Sequence, residues 1–244
     1  MYNTIIILDT ETISLGKPFI YDLGFIVARA ENGIYKPIYR SQAIITQIYD
    51  NAELFATAYY AEKKPRYTRL LKGRKTRKKK FGWAIHHLKK TIEKYNVEAI
   101  FAYNSSFDNK ALNFTAKHFK YNFNFNNLEW VDIMAIANNF IHTDKEYIDF
   151  ANENKLFGPS GRYYQTNAEA TYKFITNNKN YIEPHMALQD CEIELDILNY
   201  AIKNGYNKED IVKKRFLKVE WKLNLFFGMW RCKRFHCVWG VLEM

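Results

Sequence analysis

The sequence predicts an α/β protein, a mixed β-sheet with helices packed on it, and three observations carry that expectation. Apolar, β-branched runs come first, at residues 4–9, 22–30 and 34–46, with Asn32-Gly33 as a hairpin signal between the last two. From Val97 onward strand-like and helix-like segments alternate, which brings crossover connections and parallel pairing. Ala187, Cys191, Leu195, Leu198 and Ile202 then recur at spacings of three and four, one buried helical face over 184–204.

Residues 4–9 are continuous and β-branched and end in acids, as a buried strand would. Residues 50–62 read as helical. Pro65 and Gly73 interrupt the stretch that follows, so one unbroken helix is not expected there. Residues 82–95 regain helical spacing through Ala84, Ile85, Leu88 and Ile92. Val97 to Tyr103 is a fourth strand, and Ser106 is placed to cap the next helix with Asp108 in its first turn. Residues 128–132 are a fifth strand, followed by helices near 132–141 and 145–154. Gly158, Pro159, Ser160 and Gly161 make 155–166 a loop, and 167–176 reads as helix. Pro184 suits the first turn of the long helix and Gly205 ends it.

With 244 residues, 48% of them apolar and 17% aromatic, the chain has the material for one packed domain with an appendage. The expected division is a main domain over 1–213, with a basic insertion at 63–80, and an aromatic, basic extension over 214–244. The net charge of +10 is local: residues 63–80 hold eleven Lys and Arg and no acid, and removing them leaves −1. Such a run attracts a polyanion, or forms a solvated surface segment or flexible loop. Three cysteines argue against a disulfide scaffold. Neither a signal peptide nor an uninterrupted apolar stretch of membrane-spanning length is visible; Arg231, Lys233 and Arg234 break the nearest. The expected location is the cytoplasm, with no membrane partner.

The chemistry lies in acids far apart in sequence. Asp9 and Glu11, in Ile7-Leu8-Asp9-Thr10-Glu11-Thr12, are two apart at a strand end, so both side chains point to one face. Adjacent carboxylates repel unless a cation lies between them, and oxygen ligands suit magnesium or manganese. Asp108 alone fits favourable placement against a helix dipole equally well. His185 and Asp190 alone would be a surface histidine and an exposed acid.

Taken together, the three motifs resemble the DEDDh group of 3′–5′ exonucleases, which includes the proofreading subunit of bacterial replicative polymerase, ribonuclease T and oligoribonuclease. Asp9-Thr10-Glu11-Thr12 resembles the first motif of that group, Asn104-Ser105-Ser106-Phe107-Asp108 the second, and His185-Met186-Ala187-Leu188-Gln189-Asp190 the third. The resemblance spans roughly 4–204, and Asn167 to Leu198 is also similar to exonucleases encoded by bacteriophages. It implies a ribonuclease H-like fold with a central mixed five-stranded sheet. It further implies two divalent ions, Mg²⁺ or Mn²⁺, with Asp9, Glu11 and Asp190 at the first, Asp9 bridging to the second, Asp108 supporting the second, and His185 as general base. The implied substrate is a single strand, DNA rather than RNA, and proofreading would need a separate polymerase or replication partner. A non-catalytic nucleic-acid-binding protein and an endonuclease on the same fold are the alternatives.

Around that core, the substrate-side residues are less determined. Thr12 is followed by Ile13-Ser14-Leu15-Gly16 where the group often has Thr-Thr-Gly, so the turn around a terminal nucleotide differs. Leu15 is either a wedge against the last base or a core residue; Phe107 either stacks on a base or packs inside. Asn104 either bonds substrate or caps its own turn. Asp132 resembles a recurrent acid after the fifth strand, and is either a structural or helix-capping residue or one with a role near the site. Lys78, Lys79 and Lys80 are the expected phosphate contacts. Cys232, His236 and Cys237 lack the fourth ligand of a structural zinc site.

Overall fold

The computed structural model describes residues 1–122, 124–125, 128–210, 218, 222–224 and 231–233. The first apolar runs form β1 (Thr4–Thr12), β2 (Ile20–Glu31) and β3 (Ile34–Ile45), an antiparallel meander. Asn32 and Gly33 both have positive φ, 52° and 80°, the geometry a tight two-residue hairpin needs. After β3 come α1 (Thr46–Tyr49), α2 (Ala52–Ala56), a 3-10 turn at Ala61–Lys63, α3 (Lys64–Lys72), β4 (Arg77–Lys79) and α4 (Phe81–Tyr95). The crossover half contributes β5 (Ala99–Ala102), α5 (Ser105–His118), β6 (Glu129–Asp132), α6 (Ile133–Phe140), α7 (Lys145–Glu153), α8 (Ala168–Ile175) and α9 (Ala187–Lys203).

The sheet has six strands in the order β4-β3-β2-β1-β5-β6, not the five expected. The sixth is β4, which lies within the basic run and pairs parallel to the end of β3. Its Arg-Lys-Lys sequence carries no apolar periodicity, and cations suit an edge strand because they discourage pairing with another chain. β5 runs parallel to β1, and β6 to β5, as the alternation implies.

Both faces of the sheet are covered. Ile5 and Ile7 of β1 join a core with Ile136, Cys191, Leu195 and Leu198, while Ile6 and Leu8 join a second with Ile85, Leu88, Leu112 and Phe25. The same alternation puts Asp9 and Glu11 in series with Ile5 and Ile7, on the face that α9 covers.

The basic run is neither a loop nor a uniformly solvated strip. α3 takes Pro65 in its first turn, where a missing N–H costs nothing, and docks through Tyr67, which is wholly buried. Residues 50–62 hold one short helix, α2, and the start of the 3-10 turn rather than one continuous helix. α5 starts at Ser105, with Asn104 rather than Ser106 in the N-cap position and in the left-handed conformation. α9 starts at Ala187, so Pro184 and His185 precede it; His185 has φ 48°, which no helix continues.

Gly24, opposite Asp9 in the β1–β2 register, lies under the start of α9. A Cβ there would stand 2.4 Å from the Ala187 carbonyl carbon and the Leu188 nitrogen. Gly24→Ala is therefore expected to push α9, and Asp190 with it, off the sheet and to destabilise the protein by about 1–3 kcal/mol in chemical denaturation. An unchanged denaturation midpoint would mean that the helix can shift freely.

Among the described residues no helix is long and apolar enough to cross a membrane. Most of the expected 214–244 extension, with Trp221, Trp230, Trp239, His236 and Cys237, lies outside the described residues. Within it, β7 (Lys222–Asn224) and β8 (Arg231–Lys233) pair antiparallel.

Candidate active site

The strand ends and helix starts deliver the acids to one place. Asp108, in the first turn of α5, accepts at Oδ1 from the Thr10 N–H at 3.0 Å and the Thr10 hydroxyl at 2.8 Å. That fastens α5 to the residue between Asp9 and Glu11. Asp190, in the first turn of α9, accepts at Oδ2 from the Met186 N–H at 2.6 Å. Glu11, His185 and Asp190 each present a ligand atom within 4.8 Å of the other two.

Electrostatics ties in the rest. Burial raises the Asp9 carboxyl well above the usual range, and the charges of Asp108, Asp190, Glu194 and Glu11 raise it further. Glu11 is raised by burial and then by the charge of Asp190. Asp190 is raised by burial and then by Glu183. Asp108 is raised to about 7 by burial, against the lowering of its bonds from Thr10. Four mutually repelling acids, nearly all sealed from water, form an assembly that protons or cations must neutralise.

Two of the repelling acids expose the form of that neutralisation. Asp9 Oδ2 and Asp190 Oδ1 are buried with no hydrogen-bond donor among the described residues, and so is Glu194 Oε2. Buried carboxylate oxygens ordinarily find donors. An all-oxygen set without donors fits a hard divalent cation such as Mg²⁺ or Mn²⁺.

The sequence reading missed two acids here. Glu194, 3% exposed, stands one helical turn after Asp190 on the same face of α9, and its carboxyl is held well above the usual range by burial and by Asp108 and Asp190. The i, i+4 spacing from Asp190 was the signal that could have found it. Asp22, wholly buried opposite Glu11 on β2, accepts from Gln42 Nε2, from the Tyr67 hydroxyl at 2.9 Å and from the Ala187 N–H at 3.2 Å. It joins α3, β3 and the first residue of α9 to the sheet. Burial raises Asp22 to about 7, with those three bonds working against the rise.

His185 is half-buried in the loop before α9. Its ring is stacked on Tyr60, and its Nδ1 is 3.8 Å from Glu183 Oε2. Burial, then the Lys63 ammonium, lowers its pKa to about 4, so the imidazole is neutral near pH 7.

The substrate-side expectations divide. Thr12 is buried beside the acids, whereas Leu15 is 77% exposed, which overturns its core reading. Phe107 is half-buried and belongs to neither core. The exposed Asn104 accepts from the Ser106 hydroxyl, and its N–H donates to Asp132, which also caps α6 through Met134 and Ala135. The structure does not bring Lys78, Lys79 and Lys80 to the acids. Lys78 is level with Glu11 but three strands away, through the partners Ile44 and Asp22, or about 14 Å at the usual strand spacing. It forms an ion pair with Asp50, and Lys79 lies over the Trp83 ring.

No family model matches the sequence, and no curated protein matches it by sequence. Solved structures do match by shape. The nuclease domain of 3′hExo, a DEDDh family member, bound to rAMP, is similar over 88% of this chain and 98% of its own, with a TM-score of 0.55 and 12% identity. A zinc-bound complex of E. coli ExoI with single-stranded DNA is similar over 84% of this chain and 41% of its own, with a TM-score of 0.51 and 10% identity. The chain has the fold of these nuclease domains.

Proposed function

We propose that this chain, with the fold of a DEDDh nuclease domain, is a metal-dependent 3′–5′ exonuclease that hydrolyses single-stranded nucleic acid and releases nucleoside monophosphates. The observation that carries the proposal is the convergence of Asp9, Glu11, Asp108 and Asp190 beside a neutral His185, with carboxylate oxygens left without donors among the described residues. Asp9, Glu11 and Asp190 are assigned to one divalent ion, and Asp9 with Asp108 to a second. Two such ions, Mg²⁺ or Mn²⁺, supply Lewis-acid activation of water and neutralisation of the leaving oxygen. His185, whose ring nitrogen lies within 4.8 Å of Glu11 and Asp190 oxygens, accepts the proton of the attacking water. Hydrolysis then needs no protein nucleophile, and the buried Cys191 has no part in it.

Single-stranded DNA is the substrate we favour, on the resemblance of residues 167–198 to phage-encoded exonucleases. A separate polymerase is the partner that a proofreading role would require. The exposed Leu15 is assigned to the terminal base, with Thr12, Asn104 and Phe107 around it. The lysines of β4 and Lys80 are assigned to phosphates several nucleotides from the cut. Neutralising Lys78, Lys79 and Lys80 together is expected to weaken strand binding more at low salt than at high. The slope of log affinity against log salt should fall by about 0.7 for each phosphate that the variant no longer neutralises. An unchanged slope in a fluorescence-anisotropy titration would place the strand elsewhere.

A 5′-labelled single strand tests the activity. With Mg²⁺ or Mn²⁺ it should give a ladder shortening from the 3′ end, and a circular strand should survive. Retention without shortening would leave only binding, and cleavage of the circle would make the chain an endonuclease.

A further inference from the structure

The segment entering α3 grips the loop that carries His185. The Tyr60 ring lies on the His185 imidazole, with centroids 4.0 Å apart and planes 15° apart. Lys63 Nζ donates to the Pro184 carbonyl at 2.6 Å and lies 4.5 Å from the centroid of the same Tyr60 ring. Arg66 Nη2 donates to Gln189 Oε1 at 2.6 Å. Tyr67 donates to the same Asp22 oxygen that accepts the Ala187 N–H. The segment therefore touches the histidine itself, the residue before it and the helical turn after it.

That grip has something to oppose. Residues 181–186 have no regular secondary structure, and His185 adopts a left-handed backbone that a Cβ disfavours. Within that loop the ring meets the Glu183 carboxylate, 3.8 Å from Nδ1, a single contact that does not set the imidazole plane. A face-to-face ring does, because rotating the imidazole out of plane breaks the stack.

We propose that Tyr60 is a positioning residue for His185, and that the basic segment acts through it on the chemical step as well as on strand capture. The inference rests on the assignment of His185 as proton acceptor. A segment that only bound phosphates would change KM; one that aims the base changes kcat. A displacement of the acceptor by about 1 Å can cost about 10²-fold in rate.

The test is steady-state kinetics on the whole chain, with a labelled single strand and Mn²⁺. Tyr60→Leu, which keeps bulk but removes the stack, should lower kcat by about 10²-fold and leave KM within about twofold. Tyr60→Phe, which keeps the ring, should restore kcat. Arg66→Met, which loosens the turn after the histidine, should lower kcat in the same direction, and it carries the test if Tyr60→Leu does not fold. In proton NMR of the metal-free protein, the His185 ring protons should show an upfield ring-current shift in the wild type and Tyr60→Phe, and lose it in Tyr60→Leu. Unchanged kcat in a folded Tyr60→Leu, or a raised KM with kcat intact, would overturn the inference while leaving the nuclease reading standing. A wild-type chain that cuts nothing would remove both.

Discussion

Asp190→Ala is expected to abolish turnover, with a loss on the order of 10³-fold or more, while the metal-free protein becomes no less stable. The rate loss follows from the several kcal/mol that an ion held at Asp9, Glu11 and Asp190 contributes to transition-state charge. The stability follows from what the residue does without an ion. Asp190 is 4% exposed, lies against Glu11 and Glu183, and has one oxygen without a donor. Removing it relieves repulsion and an unsatisfied buried group. What the variant gives up in exchange is the bond from the Met186 N–H. Asp9→Ala should behave alike. Comparison of single-turnover rates with thermal midpoints in EDTA checks both halves. Wild-type activity in either variant would refute the ion assignment, and collapse of the metal-free fold would mean that the acids are structural.

The second large effect is a stability that falls with pH and is restored by metal. Asp22, Asp108 and Glu183 are raised to about 7, in each case first by burial. The folded state therefore holds protons that the unfolded chain releases near pH 4. Their contribution is complete below that lower value and is lost as pH rises through the folded one. The buried histidines work in the opposite sense, since burial lowers His142 to about 3 and His185 to about 4, but above pH 7 both states carry them neutral. From about pH 7 to about pH 8.5 the carboxyls decide: the three groups near 7 each give up ~0.4 kcal/mol and Asp190, raised to about 8, gives up ~1.3 kcal/mol, so the metal-free protein should lose about 2–3 kcal/mol. Mn²⁺ should reverse the trend, because it binds the deprotonated acids and competes less with protons as pH rises. Denaturation in EDTA that is flat or more resistant at the higher pH would show that these acids are not held protonated by the fold.

The meander and the crossover half were legible because their signal is hydrophobic periodicity, which survives in a single sequence: the alternation of Ile5 to Leu8 sorts directly into two cores. The same period of two puts Asp9 and Glu11 on a common face. β4 was not legible, since Arg77-Lys78-Lys79 has no apolar pattern and is a strand only because the end of β3 offers an edge. The start of α9 was displaced from 184 to 187 by the left-handed backbone of His185, which no propensity encodes. Asp22 and Tyr60 act through partners 165 and 125 positions away in the chain, Ala187 and His185, and nothing local to either residue marks it. The acids were found because local motifs carry them; the contacts that aim them are tertiary.

Whether Asp9, Glu11, Asp108 and Asp190 hold divalent cations together is measured most directly by anomalous diffraction from crystals grown with Mn²⁺. Manganese is expected within coordination reach of Asp9, Glu11 and Asp190, about 2.2 Å for such oxygen ligands, with a second ion between Asp9 and Asp108 once a nucleotide is bound. Manganese absent from these carboxylates at saturating concentration, or bound only on the outer surface, would contradict the metal-dependent chemistry proposed for them.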